Sequence, residues 1–198
     1  MKKYPWLLAA LLLVALARPA GAVVLLNQEQ ALKQMFAAGL KVTPDVRLLT
    51  DGQVAAVKEQ LGGKWTLYPA GSKSAEGTEN DSVTFFFATK DDKPTGVALI
   101  EVQPGKWGPV KYIVAMDMTG KVVNLAVMSY VEQRGRPIST RRFLGQFIGK
   151  TGKSPITVGK DIDAVSGATI SSRATAFAVK KVVALYEAVF PAGEEKGE

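Results

Sequence analysis

The chain contains no cysteine and no histidine. The first absence excludes disulfides, thiolate-held zinc and cysteine-ligated iron–sulfur clusters, and the second excludes histidine-ligated haem. Together they remove the cysteine nucleophile and the histidine general base, and with them the Ser-His and Cys-His hydrolase triads. No G-x-G-x-x-G turn follows a strand, so a direct nicotinamide-dinucleotide site has no support. Gly145 to Thr151 looks like a phosphate-binding P-loop, but its glycine spacing is one residue short, which argues against nucleotide hydrolysis. Chemistry is left to hydroxyls, carboxylates, cations, main-chain dipoles or a bound cofactor.

What is present is a globular composition, 47% hydrophobic and 22% charged over 198 residues, enough for one domain with a packed core. Met1 to Ala22 has the layout of a secretory signal peptide: Lys2 and Lys3, an apolar run from Trp6 to Ala17, then Ala20-Gly21-Ala22. The run falls short of the roughly 20 residues that span a bilayer. Cleavage before Val23 would remove Lys2, Lys3 and Arg18 and take the net charge from +7 to +4. An uncleaved N-terminal anchor is the alternative, and both place the rest of the chain in a periplasmic or extracytoplasmic setting. A mildly basic chain with mixed signs predicts no nucleic-acid partner.

Residues 23–81 read as a helical lead-in and loop. Asn27 caps a helix over Gln28 to Ala38, ended by Gly39, and Thr50-Asp51-Gly52-Gln53 is a capping box for a second helix that stops at Gly62-Gly63. Gly71 to Asp81 is a polar, Gly/Ser-rich loop. From Ser82 the apolar period becomes two: Val83, Phe85 and Phe87, then a turn over Asp91 to Gly96, then Val97 and Leu99. Val110, Tyr112, Val114 and Met116 follow, with Val123, Leu125 and Val127 after a bend at Thr119-Gly120. This predicts an α+β fold, an antiparallel twisted sheet with one covered face packed against helices. Ser139 to Phe147 reads as a helix, and Ala176, Val179, Val183, Tyr186 and Phe190 mark the core face of a closing helix. The domain proper is 82–190, and 191–198 is a flexible tail.

Residues 161–172, Asp-Ile-Asp-Ala-Val-Ser-Gly-Ala-Thr-Ile-Ser-Ser, lead into that helix. Small polar residues are ordinary where a loop becomes a helix N-terminus. The same geometry attracts phosphate, because the first-turn N–H groups are free and carry partial positive charge. Gly167 permits a tight turn, Ala168 leaves the approach open, and Thr169 presents a hydroxyl that a neighbouring phosphate can esterify. The residues themselves take the reading as far as an anion site, with modification of Thr169 left open.

Asp163-Ala164-Val165-Ser166-Gly167-Ala168-Thr169 resembles the flavinylation motif D-x-x-[ST]-G-A-[ST] of FMN-binding domains, found in subunits of Rnf- and Nqr-type ion-pumping complexes and in stand-alone exported flavoproteins. Asp, Gly, Ala and the two hydroxyl residues at these spacings arise by chance in on the order of 0.02% of chains this long. Gly120 to Val127 resembles a strand of the stand-alone members, and Glu132-x-x-Gly135 with Arg141 to Lys150 resembles their E-x-x-G…R-R-F-x-x-Q-F-x-G-K segment. The E-T-P-G-[LM]-G loop found in the ion-pumping complexes is replaced here by Glu132-Gln133-Arg134-Gly135-Arg136-Pro137, which points to the stand-alone or regulator-like branch.

The resemblance implies FMN as cofactor, joined through its phosphate to Thr169 as phosphothreonyl-FMN by a flavin transferase that uses FAD. It implies Asp163 as the motif acid and Ser166, Gly167 and Ala168 as the turn around the phosphate. Glu132 and Arg142 are further cofactor-binding candidates. Arg134, Arg136, Arg141 and Arg142 form either an ordinary solvated face or a phosphate or partner contact. Trp65 and Trp107 are either packing residues or stacking partners of the flavin ring. The implied function is electron carriage in a membrane-linked or extracytosolic redox chain, with a quinol or cytochrome module or a soluble electron carrier as partner. A flavin-dependent reductase of a small acceptor, or a non-redox sensory or scaffold module, are the alternatives.

Overall fold

Alternating strands dominate the middle of the chain, and in the computed structural model they form one six-stranded antiparallel sheet. The structure describes residues 23–67, 82–131 and 136–191, with main chain only at 136 and 137. The expected signal peptide, the Gly71 to Asp81 loop and the tail beyond Pro191 lie outside the described residues. In chain order the elements are β1 (Val23–Val24), α1 (Gln28–Met35), β2 (Lys41–Leu48), α2 (Asp51–Gln60), β3 (Ser82–Lys90), β4 (Lys93–Pro104), β5 (Pro109–Met116) and β6 (Val122–Tyr130). They continue with α3 (Arg141–Leu144) and α4 (Thr169–Val189), and the sheet order is β1-β6-β5-β4-β3-β2. Among the described residues, no helix is long and apolar enough to cross a membrane.

The capping box expected at Thr50 forms, and the expected cap at Asn27 closes into a full box as well. Asn27 accepts the Gln30 N–H at 2.8 Å while Gln30 accepts the Asn27 N–H at 3.0 Å, and Thr50 and Gln53 repeat the exchange. The first helix ends at Met35 rather than Ala38, because Phe36 is already extended. The lead-in is more than helical, since it supplies both edge strands. The strand β2 escapes a pattern search because Pro44 interrupts it. Proline has no N–H to give, so it is tolerated on an edge strand such as this one.

The expected turn over Asp91 to Gly96 closes in two residues. Asp91 and Asp92 both take positive φ, 50° and 59°, the conformation a tight antiparallel hairpin requires, and β4 begins at Lys93. At the β5–β6 hairpin Gly120 has φ +80° and backs onto the Tyr186 ring, whose hydroxyl donates to the Met118 carbonyl at 2.8 Å.

The sheet is covered on both faces, not one. Phe85, Leu99, Tyr112, Val114 and Leu125 pack against α2 and α4, while Phe86, Ala98, Ile113, Ala115 and Met128 pack beneath Ala31 and Met35 of α1. This explains why the central strands carry consecutive apolar residues, which alternation on a half-solvated sheet would not need. The stretch Ser139 to Phe147 is a broken turn. A 3-10 helix (Arg136–Ser139), α3 and a second 3-10 turn (Gly145–Phe147) replace the continuous helix, and they still bury Phe143, Leu144 and Phe147 as expected.

Candidate functional site around Thr169

The helix α4 lies across the sheet and buries residues on nearly every side over its 21 residues. Its register is fixed by polar contacts as well as by packing. The Thr175 hydroxyl lies 3.1 Å from the Tyr112 hydroxyl on β5 and donates to the Ser171 carbonyl at 2.9 Å. At its far end Glu187 accepts the Gly152 N–H at 3.1 Å. The Thr175–Tyr112 contact thus ties the N-terminal half of the helix to the sheet.

That loop carries the motif. Gly167 has φ +75°, and a Cβ placed there would meet nothing within 4 Å, so the residue is glycine for its backbone conformation and the space beside it is open. Ala168 is the N-cap and is buried, and no side chain caps the helix. Thr169 is the first helical residue and is exposed, with exposed Ser166 and Gly167 before it. An uncapped N-terminus offers its first-turn N–H groups and the positive end of the dipole to an anion, here beside an accessible hydroxyl. These residues fit a phosphate ester on Thr169.

The loop is braced from outside the motif. The Ser172 hydroxyl accepts the Val165 N–H at 3.0 Å and donates to the Ala168 carbonyl at 3.0 Å. The Ala168 N–H closes the turn on the Val165 carbonyl at 3.0 Å. Gln146, from the 3-10 turn after α3, accepts the Asp163 N–H at 2.7 Å and donates to the Asp163 carbonyl at 3.3 Å. The Asp163 side chain is exposed and makes no ion pair among the described residues.

Further back, Asp161 organises the approach. It pairs with Lys150 at 2.7 Å and accepts the N–H groups of Thr157 at 2.8 Å and Ile156 at 3.2 Å. Burial alone would raise its carboxyl, but the Lys150 hydrogen bond and the two main-chain donors outweigh it and hold the group below its usual range. Ile156 needs that support, since a β-branched residue at φ +43° is strained.

Asp163, Ser166, Gly167 and Thr169 are thus exposed on the loop that leads into α4, with Ala168 buried among them. Arg142 is exposed on α3, and no hydrogen bond among the described residues joins it to the motif. Glu132 lies outside the described residues. Trp65 is engaged elsewhere, with the Lys181 ammonium 4.5 Å from its ring centre, and Trp107 is 59% exposed in the β4–β5 turn beside Lys106. Sequence reasoning assigned no role to Gln146, Ser172 or Asp161. The only signal at Gln146 was its place in a family-like segment, because its partner is 17 residues away.

Residues 105–184 match the family model of the FMN-binding domain. The G component of the ion-translocating oxidoreductase complex of Shewanella oneidensis is 33% identical over 124 residues, covering 57% of this chain and 58% of that protein. The G component of the proton-translocating ferredoxin:NAD(+) oxidoreductase complex of Clostridium ljungdahlii is 30% identical over 112 residues, covering 52% and 60%. The chain thus spans under two thirds of the length of these curated relatives. Among solved structures, the C component of the Na(+)-translocating NADH-quinone reductase of Parabacteroides distasonis is similar over 74% of this chain and 76% of that one, at 18% identity and a TM-score of 0.49. Over residues 105–184 the chain is similar to the FMN-binding domain family, and that match supports FMN as its cofactor.

Proposed function

We propose that this protein is an extracytoplasmic electron carrier that holds FMN through a phosphoester on Thr169 and works in a membrane-linked redox chain. The observation that carries this reading is Thr169 itself. It is the exposed first residue of an uncapped helix, at the end of a D-x-x-S-G-A-T motif, inside a segment matching the FMN-binding domain. The relatives that carry related segments are named as parts of ion-translocating or proton-translocating oxidoreductase complexes, which supports a redox partner in or at a membrane.

Bound flavin supplies the ability to accept electrons in a pair and release them singly. The chain supplies placement. The N-terminus of α4 offsets the charge of the phosphate, Gly167 lets the main chain pass close beside it, and Ser172 keeps the turn closed. Asp163 stands on the solvent side, where a docked flavin transferase reaches it. A covalent tether suits a compartment in which a dissociated cofactor is lost, in keeping with the signal-peptide layout of residues 1–22.

Denaturing gels test the linkage. Protein produced in its native host is expected to keep flavin fluorescence after denaturation, Thr169→Ser to keep it, and Thr169→Ala to lose it. Fluorescence that survives Thr169→Ala would place the attachment elsewhere.

A further inference from the structure

We propose that Gln146 is the positioning residue of the modification loop, presetting Asp163 relative to the Thr169 hydroxyl before any transferase binds. The inference rests on the Thr169 reading above and adds a residue to it.

A single side-chain amide satisfies both main-chain groups of Asp163, as acceptor at 2.7 Å and donor at 3.3 Å. The two bonds fix which end of the amide is oxygen. They also fix the peptide planes on both sides of Asp163, and hence the direction of its side chain. The base of the clamp is rigid. Phe147, next to Gln146, is fully buried and packs edge-on against Phe143, with ring centres 5.5 Å apart. The Gly149 N–H donates to the Val122 carbonyl at 2.7 Å and the Val122 N–H to the Lys150 carbonyl at 2.9 Å, which fastens residues 149–150 to the start of β6. At the other end Ser172, on the sheet-anchored α4, holds Val165 and Ala168. The seven-residue motif is thus strung between two fixed points, with its acid and its hydroxyl both facing solvent.

The step served is a phosphoryl-type transfer. The Thr169 Oγ attacks the phosphorus of the FMN half of FAD, and the bond from that phosphorus to the bridging oxygen breaks. AMP leaves with that oxygen, and the hydroxyl proton passes to solvent. No electrons are exchanged. A substrate loop that must first be ordered lowers apparent affinity, so losing the clamp raises KM for the protein substrate more than it lowers kcat.

The test uses full-length protein, FAD and a flavin transferase, with amide hydrogen exchange read in parallel. Gln146→Met keeps the length and loses both bonds. It is expected to speed exchange at the Asp163 amide by about tenfold and to cut kcat/KM for flavin transfer by about tenfold, carried in KM, with exchange in β5 unchanged. Gln146→Glu still accepts the Asp163 N–H and is expected to keep that amide protected. Unchanged exchange in Gln146→Met, or faster exchange with unchanged kcat/KM, overturns the positioning role while leaving Thr169 as the attachment point. Wild-type protein that accepts no flavin in the same assay overturns the attachment reading and the positioning role together.

Discussion

The Lys181 ammonium on α4 lies 3.0 Å from the Glu101 carboxylate on β4, with only 8% and 12% of the two side chains exposed. Gln103 donates to the same carboxylate at 2.7 Å and accepts the Leu67 N–H at 2.9 Å, and Trp65 covers the ammonium. Burial pushes the Glu101 carboxyl up, against the pull of Lys181 and Gln103. The pair ties α4, and with it Thr169, to the middle of the sheet.

Removing one partner strands the other charge. Glu101→Gln is expected to destabilise the fold by about 3–5 kcal/mol, whereas Glu101→Gln combined with Lys181→Met recovers most of that loss. Denaturant unfolding of the two single variants and the double variant measures it. Equal stabilities across the set would show that the pair is not a fastening.

Asp161 predicts a dependence on pH. Its folded carboxyl sits below its unfolded value, so the stability it contributes is complete above the unfolded pKa, near pH 4, and is lost as the pH falls through the folded one. Unfolding followed from about pH 6 down to pH 2 is expected to show this loss in the wild type and a smaller acid dependence in Asp161→Asn. Superimposable profiles would remove Asp161 from the loop's support.

A Cβ on Gly152 would fall on the Glu187 carboxylate. The end of that side chain can swing away, at the cost of the bond from the Gly152 N–H. Gly152→Ala is therefore expected to cost about 1 kcal/mol by thermal unfolding, and most of that cost is expected to vanish in a Glu187→Ala background.

Local features of this chain were legible in its sequence, and distant ones were not. The box at Thr50 and the cap at Asn27 act within three residues, so their spacing alone marks them. The motif from Asp163 to Thr169 is contiguous, and its glycine adopts the positive φ that the turn requires. The strand β2 was hidden by Pro44, whose edge position makes it harmless only in three dimensions. Cover by α1 does not show in the alternation of β3 to β6, because Phe86, Ala98 and Ile113 fall between the alternating positions and are buried on the second face. The Gln146–Asp163 clamp joins residues far apart along an irregular loop, where no periodicity marks a partner.

Intact-mass measurement of the protein purified from its native host, with a peptide map across residues 161–173, tests the central claim most directly. A phosphoester on Thr169 predicts a chain heavier by one FMN less one water, with the added mass on the peptide containing Thr169 and absent from Thr169→Ala. A mass equal to that of the bare polypeptide, or flavin mapped to another peptide, would contradict it.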